Sequence, residues 1–270
     1  LMPGAIHVTN WNSYRLPYEG DPVDVAIKCA NEFETVIQHQ GSETVAAMIA
    51  EPISAAYGVQ VPPEEYWQRL REIADKYDVI LIADEVITGF GRTGEYFAPM
   101  NWGVQPDITT VAKAITSGYA PLGAAIATKK IADAFIGGAD ETFKHLITFG
   151  GHPIASAAAL ANLAIFERED LVGNSRRLGP YLFDQLQSLY SHDIVGDVRG
   201  GLGLLAAVEL VADRPSKTPF PADAGLAKKM PKMLFEKNIV TLRAADVITI
   251  CPPLSINKSE IDFIVNAIDG

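Results

Sequence analysis

Three short apolar runs in the first half of the chain each stop abruptly on a charged residue. Residues 79–83 (VILIA) end on Asp84 and Glu85, residues 45–50 end on Glu51, and residues 108–112 end on Lys113. Runs this short, rich in β-branched residues, read as strands buried on both faces of a parallel sheet. Between the first two, Pro62 and Pro63 open a helix whose Tyr66, Leu70, Ile73 and Tyr77 recur at helical spacing. Strand, helix, strand is the rhythm of an α/β sheet, and such sheets take ligands just outside the carboxyl ends of their strands. The Asp84 carboxylate and the Lys113 amine therefore stand where chemistry is expected. A glycine-rich turn carrying Arg92, residues 89–94, lies between them. Thr116, Ser117 and Gly118 follow Lys113, ahead of another apolar segment, 122–127.

The charge balance narrows the partners. The formal net charge is −11 over 270 residues with no basic stripe, which argues against nucleic acid and anionic membrane. The longest run of small apolar residues, 154–166, is too short to span a bilayer and carries Asn162. Cys29 and Cys251 form no motif, so a reducing, cytoplasmic setting is expected. The five histidines show no ligand spacing, and no metal site is expected.

Residues 1–30 read as an irregular connection punctuated by Pro3, Pro17 and Pro22, with a helix over 31–39. Later in the chain, 154–167 and 175–190 read as helices, the second with Leu178, Leu182, Leu186 and Leu189 on one face. Strands are expected at 194–199, 204–211, 239–243 and 247–251. A last helix carries Ile261, Ile264, Val265 and Ile268, with Asn257 and Glu260 spaced as a capping pair. Gly201, Gly203 and Ala206 fit the dinucleotide pattern G-x-G-x-x-A, but the pattern runs into a strand rather than a helix, so a tight turn is expected. Pro231 predicts a break or kink within 224–236.

The stretch from Asp84 to Gly118 resembles the signature of the class III (ω-amino acid type) aminotransferases, enzymes dependent on pyridoxal 5'-phosphate (PLP). The shared order is Asp-Glu-Val (84–86), Gly-Phe-Gly-Arg-Thr-Gly (89–94), Pro-Asp (106–107) and Ala-Lys-x-x-x-Ser-Gly (112–118). The resemblance implies the α/β PLP-dependent transferase fold (aspartate-aminotransferase-like, fold type I). Residues 1–152 would be part of the large PLP-binding domain, with a mostly parallel sheet; 153–192 would be connecting helices and 193–270 a small C-terminal α/β domain. Family members carry a longer N-terminal part, so the chain is expected to be a C-terminal fragment.

It also implies roles. Asp84 would keep the PLP ring nitrogen protonated, Val86 would pack under the ring, and Lys113 would hold the cofactor as a Schiff base and then carry the proton between two carbons. Thr148, in the segment KHLITFGGHP, would donate to the PLP phosphate of the neighbouring subunit, making a homodimer with shared active sites. Arg243 would bind the substrate carboxylate and Glu51 would pair with that arginine when it is idle. Taken alone, Asp84 reads as a loop acid or helix cap and Lys113 as a surface lysine; the surrounding signature reverses that reading. The implied reaction moves an amino group from a primary amine or ω-amino acid to a 2-oxo acid such as pyruvate. Ile87, where relatives acting on 4-aminobutyrate or ornithine usually carry Gln, fits the amine:pyruvate-like ω-transaminases. The alternatives are an aminomutase, a PLP-dependent decarboxylase or a non-catalytic fragment.

Overall fold

A computed structural model describes residues 4–241 and 246–270. The chain forms two compact units. The first holds Leu1–Pro52, Pro62–Phe90 and Phe97–Arg168; the second holds Ile53–Val61, Gly91–Tyr96 and Glu169–Gly270.

The first unit opens with α1 (Pro22–Gln40), then β1 (Ala47–Ala50), α2 (Glu64–Tyr77) and β2 (Ile80–Asp84). It continues with β3 (Ile108–Val111), β4 (Ala124–Ala127), the short α3 (Lys129–Asp133) and α4 (Pro153–Arg168). Helix α1 begins nine residues before the expected start, because Pro22 is its opening residue rather than a breaker. The Asp21 side chain accepts the Val23 N–H at 2.9 Å, and proline costs nothing at a position whose N–H has no helical partner. In α2, Tyr66, Leu70 and Ile73 are buried as the periodicity requires, together with Trp67 and Ala74. Asp78 ends α2 in the left-handed conformation and turns the chain straight into β2.

The sheet order is β1-β2-β3-β4, with the first three strands parallel and β4 antiparallel to β3. Leu81 and Ala83 are fully buried, as the apolar run of β2 implies. Asp107 of the Pro-Asp pair fixes the start of β3. Its Oδ2 accepts the Leu81 N–H at 2.8 Å and faces the Arg71 guanidinium at 2.9 Å, while its own N–H donates to the Leu81 carbonyl. All four residues of β4 are exposed, including Ile126.

The second unit contains α5 (Leu171–Gln187), β5 (Val195–Arg199), β6 (Ala206–Leu210), α6 (Leu226–Glu236), β7 (Val247–Ile250) and α7 (Lys258–Asp269). Its sheet, β5-β6-β7, is antiparallel throughout, and every residue of β6 is buried. The leucine stripe of 178, 182, 186 and 189 is buried, and Asn257 with Glu260 forms a reciprocal capping box on α7. Gly201 and Gly203 lie in the turn between β5 and β6, as expected. At Gly203 (φ +56°) a Cβ would collide with the Arg92 carbonyl.

Two expectations fail here. Helix α6 runs unbroken past Pro231, and α5 likewise contains Pro180. One absent N–H removes a single bond from each ladder, which the packing of a helix such as α5, buried at Leu178, Gly179, Leu182 and Leu186, can offset. Residues 239–241 are not in a strand; the rest of that expected strand, with Arg243, lies outside the described residues.

Candidate active site

The parallel register brings three of the predicted residues into one row. Ala50 pairs with Ala83 and Asp84 with Thr110, so Glu51 directly follows the end of β1 and Asp84 closes β2. Lys113 comes two residues after the end of β3. Neighbouring strands are about 4.8 Å apart, so an acid, an acid and an amine stand side by side at the carboxyl edge of the sheet.

Asp84 is half-buried and held by one oxygen. Its Oδ1 accepts the Val86 N–H at 3.1 Å and the Thr110 hydroxyl at 3.3 Å. Among the described residues neither bond uses Oδ2, which leaves an anionic oxygen for a cationic N–H. Val86 is half-buried where the chain has already begun to turn. Strand alternation therefore does not by itself put it on the face of Asp84; the bond from its N–H to Oδ1 keeps it close.

Lys113 begins a 3-10 turn, Lys113–Ile115, with φ +45°. A left-handed conformation costs an L-residue with a long side chain about 1–2 kcal/mol, and persists only where the surroundings enforce it. The side chain is exposed, and among the described residues its Nζ makes no hydrogen bond or ion pair.

Glu85 is 1% exposed. Its N–H donates to the Thr110 carbonyl at 2.9 Å, and one carboxyl oxygen accepts the Thr88 hydroxyl at 2.7 Å. Burial pushes its carboxyl up to about 7; the Thr88 hydroxyl and the Ala98 N–H pull downward, and the charge of Asp84 adds a small upward push. Gly89 follows because a Cβ there would stand 2.9 Å from the Glu85 carbonyl.

The middle of the signature, Gly91–Tyr96, belongs to the second unit. Arg92 is half-buried and donates to the carbonyls of Leu204 (2.9 Å) and Pro252 (2.6 Å), while the Leu204 N–H returns to its carbonyl at 3.0 Å. Burial pushes the Arg92 guanidinium down from its ordinary value. Gly91 and Gly94 both have φ above +80°, and side chains there would press on Val172 and Arg176 of α5. Half of the signature is thus architecture.

Thr148 lies outside the row of strand ends, exposed in a turn just before α4. Glu51 is half-buried. In the sequence Asn162 is only a polar interruption of an apolar run. It is buried on α4, where its Nδ2 donates to the carbonyls of Ala114 (2.8 Å) and Ile115 (3.1 Å), and its Oδ1 accepts the Ser117 hydroxyl at 2.8 Å. The available signal was chemical: an amide in a helix of small apolar residues must find partners once buried.

The family model for Aminotransferase class-III matches residues 2–270. This chain belongs to the class III aminotransferases. It is 39% identical to the taurine–pyruvate aminotransferase of Bilophila wadsworthia over 278 residues, which cover all of this chain and 60% of that protein. A crystal structure of an (S)-enantioselective omega-transaminase from Thermomicrobium roseum is 41% identical with a TM-score of 0.93, covering 98% of this chain and 59% of that one. An amine transaminase from an uncultivated Pseudomonas species, solved in a PLP-bound form, is also 41% identical, with a TM-score of 0.91, and covers 97% and 60%. This class III aminotransferase chain therefore spans about 60% of the length of the relatives it matches. Class III aminotransferases use PLP, and the donor set here suits that group: one open carboxylate oxygen for a ring N–H and one uncommitted primary amine for an aldehyde. Among the described residues, no helix is long and apolar enough to cross a membrane.

Proposed function

We propose that this protein transfers an amino group from a primary amine to a 2-oxo acid such as pyruvate. The observation that carries the reading is the pairing at the strand ends: Asp84 with Oδ2 open, one strand away from Lys113 with an uncommitted Nζ. PLP, when bound, supplies a ring that takes up electrons from the carbon next to the substrate nitrogen. Asp84 Oδ2 would accept the ring N–H and keep that proton in place. Val86, tied to Asp84 through its N–H, would supply an apolar contact to the ring. Lys113 Nζ would hold the cofactor covalently, and as a free amine would carry a proton between two carbons. Thr148 donates to the cofactor phosphate of a neighbouring copy, which makes the functional form a homodimer. Arg243 would bind the oxo-acid carboxylate, with Glu51 as its partner when that carboxylate is absent.

The taurine–pyruvate relative supports the pairing of a primary amine with pyruvate, as does Ile87 after the Asp-Glu-Val triplet. Borohydride reduction of the PLP-loaded protein should fix the cofactor on the peptide containing Lys113, and labelling of any other lysine overturns the assignment. Lys113→Ala should lower turnover by more than the roughly 10²–10⁴-fold that general acid–base catalysis alone contributes. Turnover that needs no second, oxo-acid substrate would instead indicate a mutase or decarboxylase.

A further inference from the structure

The turn that carries Lys113 is poorly held by its own backbone. Its internal bonds, from Ile115 N–H to Ala112, Thr116 N–H to Lys113 and Ser117 N–H to Ala114, are 3.2–3.3 Å long. Two non-glycine residues in it, Lys113 and Ser117, have φ of +45° and +49°. Asn162, 9% exposed, reaches it from α4. Its amide has two N–H groups and one oxygen, and all are engaged: Nδ2 with the carbonyls of Ala114 and Ile115, Oδ1 with the Ser117 hydroxyl. The opposite amide orientation would set an oxygen against two carbonyls, so only this one satisfies the site. A single buried side chain thus grips three of the four residues that follow Lys113. The two shorter bonds, both 2.8 Å, are tighter than the backbone bonds of the turn.

We propose that Asn162 is a positioning residue for Lys113, holding the left-handed turn from which the lysine side chain leaves the strand-end row. The inference rests on the reading that Lys113 carries the cofactor. Attachment requires Nζ to reach the aldehyde carbon, form a C=N bond and release the aldehyde oxygen as water. A displacement of about 1 Å at such a group can cost on the order of 10²-fold in rate. The amide therefore sets how fast the lysine engages while making no contact with the cofactor.

Asn162→Asp is the sharpest variant, since it keeps the shape and the acceptor for Ser117 but removes both donors to the carbonyls. Ser117→Ala removes only the third bond, at an exposed residue. Three quantities are followed with PLP: the rate of covalent attachment to Lys113 (by borohydride quenching and peptide mapping), the pH midpoint of the bound cofactor's visible band, and thermal unfolding. Asn162→Asp should slow attachment about tenfold or more and move the pH midpoint, and Ser117→Ala should slow attachment about threefold, with unfolding of the latter unchanged. Attachment at the wild-type rate with an unmoved midpoint in both variants overturns the proposal. If Asn162→Asp does not fold, Ser117→Ala decides alone: a wild-type rate overturns it, and a slowed rate at unchanged stability supports it. A wild-type protein that does not label Lys113 removes the functional reading and this inference together. Labelling that is equal in wild type and variants removes only the inference.

Discussion

The buried Glu85 gives the first unit a pH-dependent stability that can be worked from the structure. The carboxyl titrates near 7 in the folded protein against an ordinary value of 4.5, chiefly because burial disfavours its charged form. Between those values the folded protein holds a proton that the unfolded chain has already lost. Stability from this group is therefore complete below about pH 4.5, falls as pH rises, and levels off above about pH 7. A gap of about 2.5 units at 1.36 kcal/mol per unit makes the loss about 3 kcal/mol. Glu85→Gln has no such titration. The amide keeps an acceptor for the Thr88 hydroxyl but presents N–H groups where the carboxylate faced the Ala98 N–H, an offset of roughly 1–3 kcal/mol that does not vary with pH. The variant should thus start less stable at pH 5, then gain about 2.5 kcal/mol on the wild type by pH 8.5. Urea unfolding followed by tryptophan fluorescence at pH 5, 6, 7 and 8.5 measures this, because Trp11, Trp67 and Trp102 all lie in the first unit and report on it alone. A difference between the two proteins that stays constant across the pH series would refute the burial argument.

Arg243→Ala should weaken the oxo-acid half-reaction by roughly 10²-fold, the scale of a lost charge-assisted pair, and leave the half-reaction with an uncharged amine nearly unchanged; single-turnover measurements on each half separate the two, and equal losses would make the arginine structural. Arg92→Met should destabilise the second unit by about 2–4 kcal/mol, because it strands the buried carbonyls of Leu204 and Pro252. Faster amide exchange in β6 and around Leu204, with exchange in β2 unmoved, is the expected signature. Strand β4 carries exposed apolar residues at the end of a four-stranded order, a surface prone to pairing with other chains. Ile126→Lys should reduce concentration-dependent association in light scattering, and unchanged association would clear this strand.

The strand ends that frame the candidate site were legible because they are written locally. An apolar run that stops on an acid, and another that stops on a lysine, announce strand ends before any fold is known. The Asn257–Glu260 capping box, the leucine stripe of α5 and the turn at Gly201 and Gly203 are equally local, each set by spacings of a few residues. Tertiary structure decided what such short spacings cannot encode. Pro22 opens a helix because Asp21 caps it, whereas Pro180 and Pro231 sit inside helices, and the identity of a proline does not tell these cases apart. The Gly-x-Gly-Arg segment reads as one motif, yet Gly91 and Arg92 are shaped by α5, Leu204 and Pro252, up to 160 residues away. The role of Asn162 depends on carbonyls 47 and 48 residues earlier in the chain. The charge state of Glu85 depends on how much water its surroundings exclude. Periodicity and capping arise from the backbone's own short-range geometry, so a sequence displays them; burial and long-range hydrogen bonds arise only when distant segments share a volume, and the fold alone assigns them.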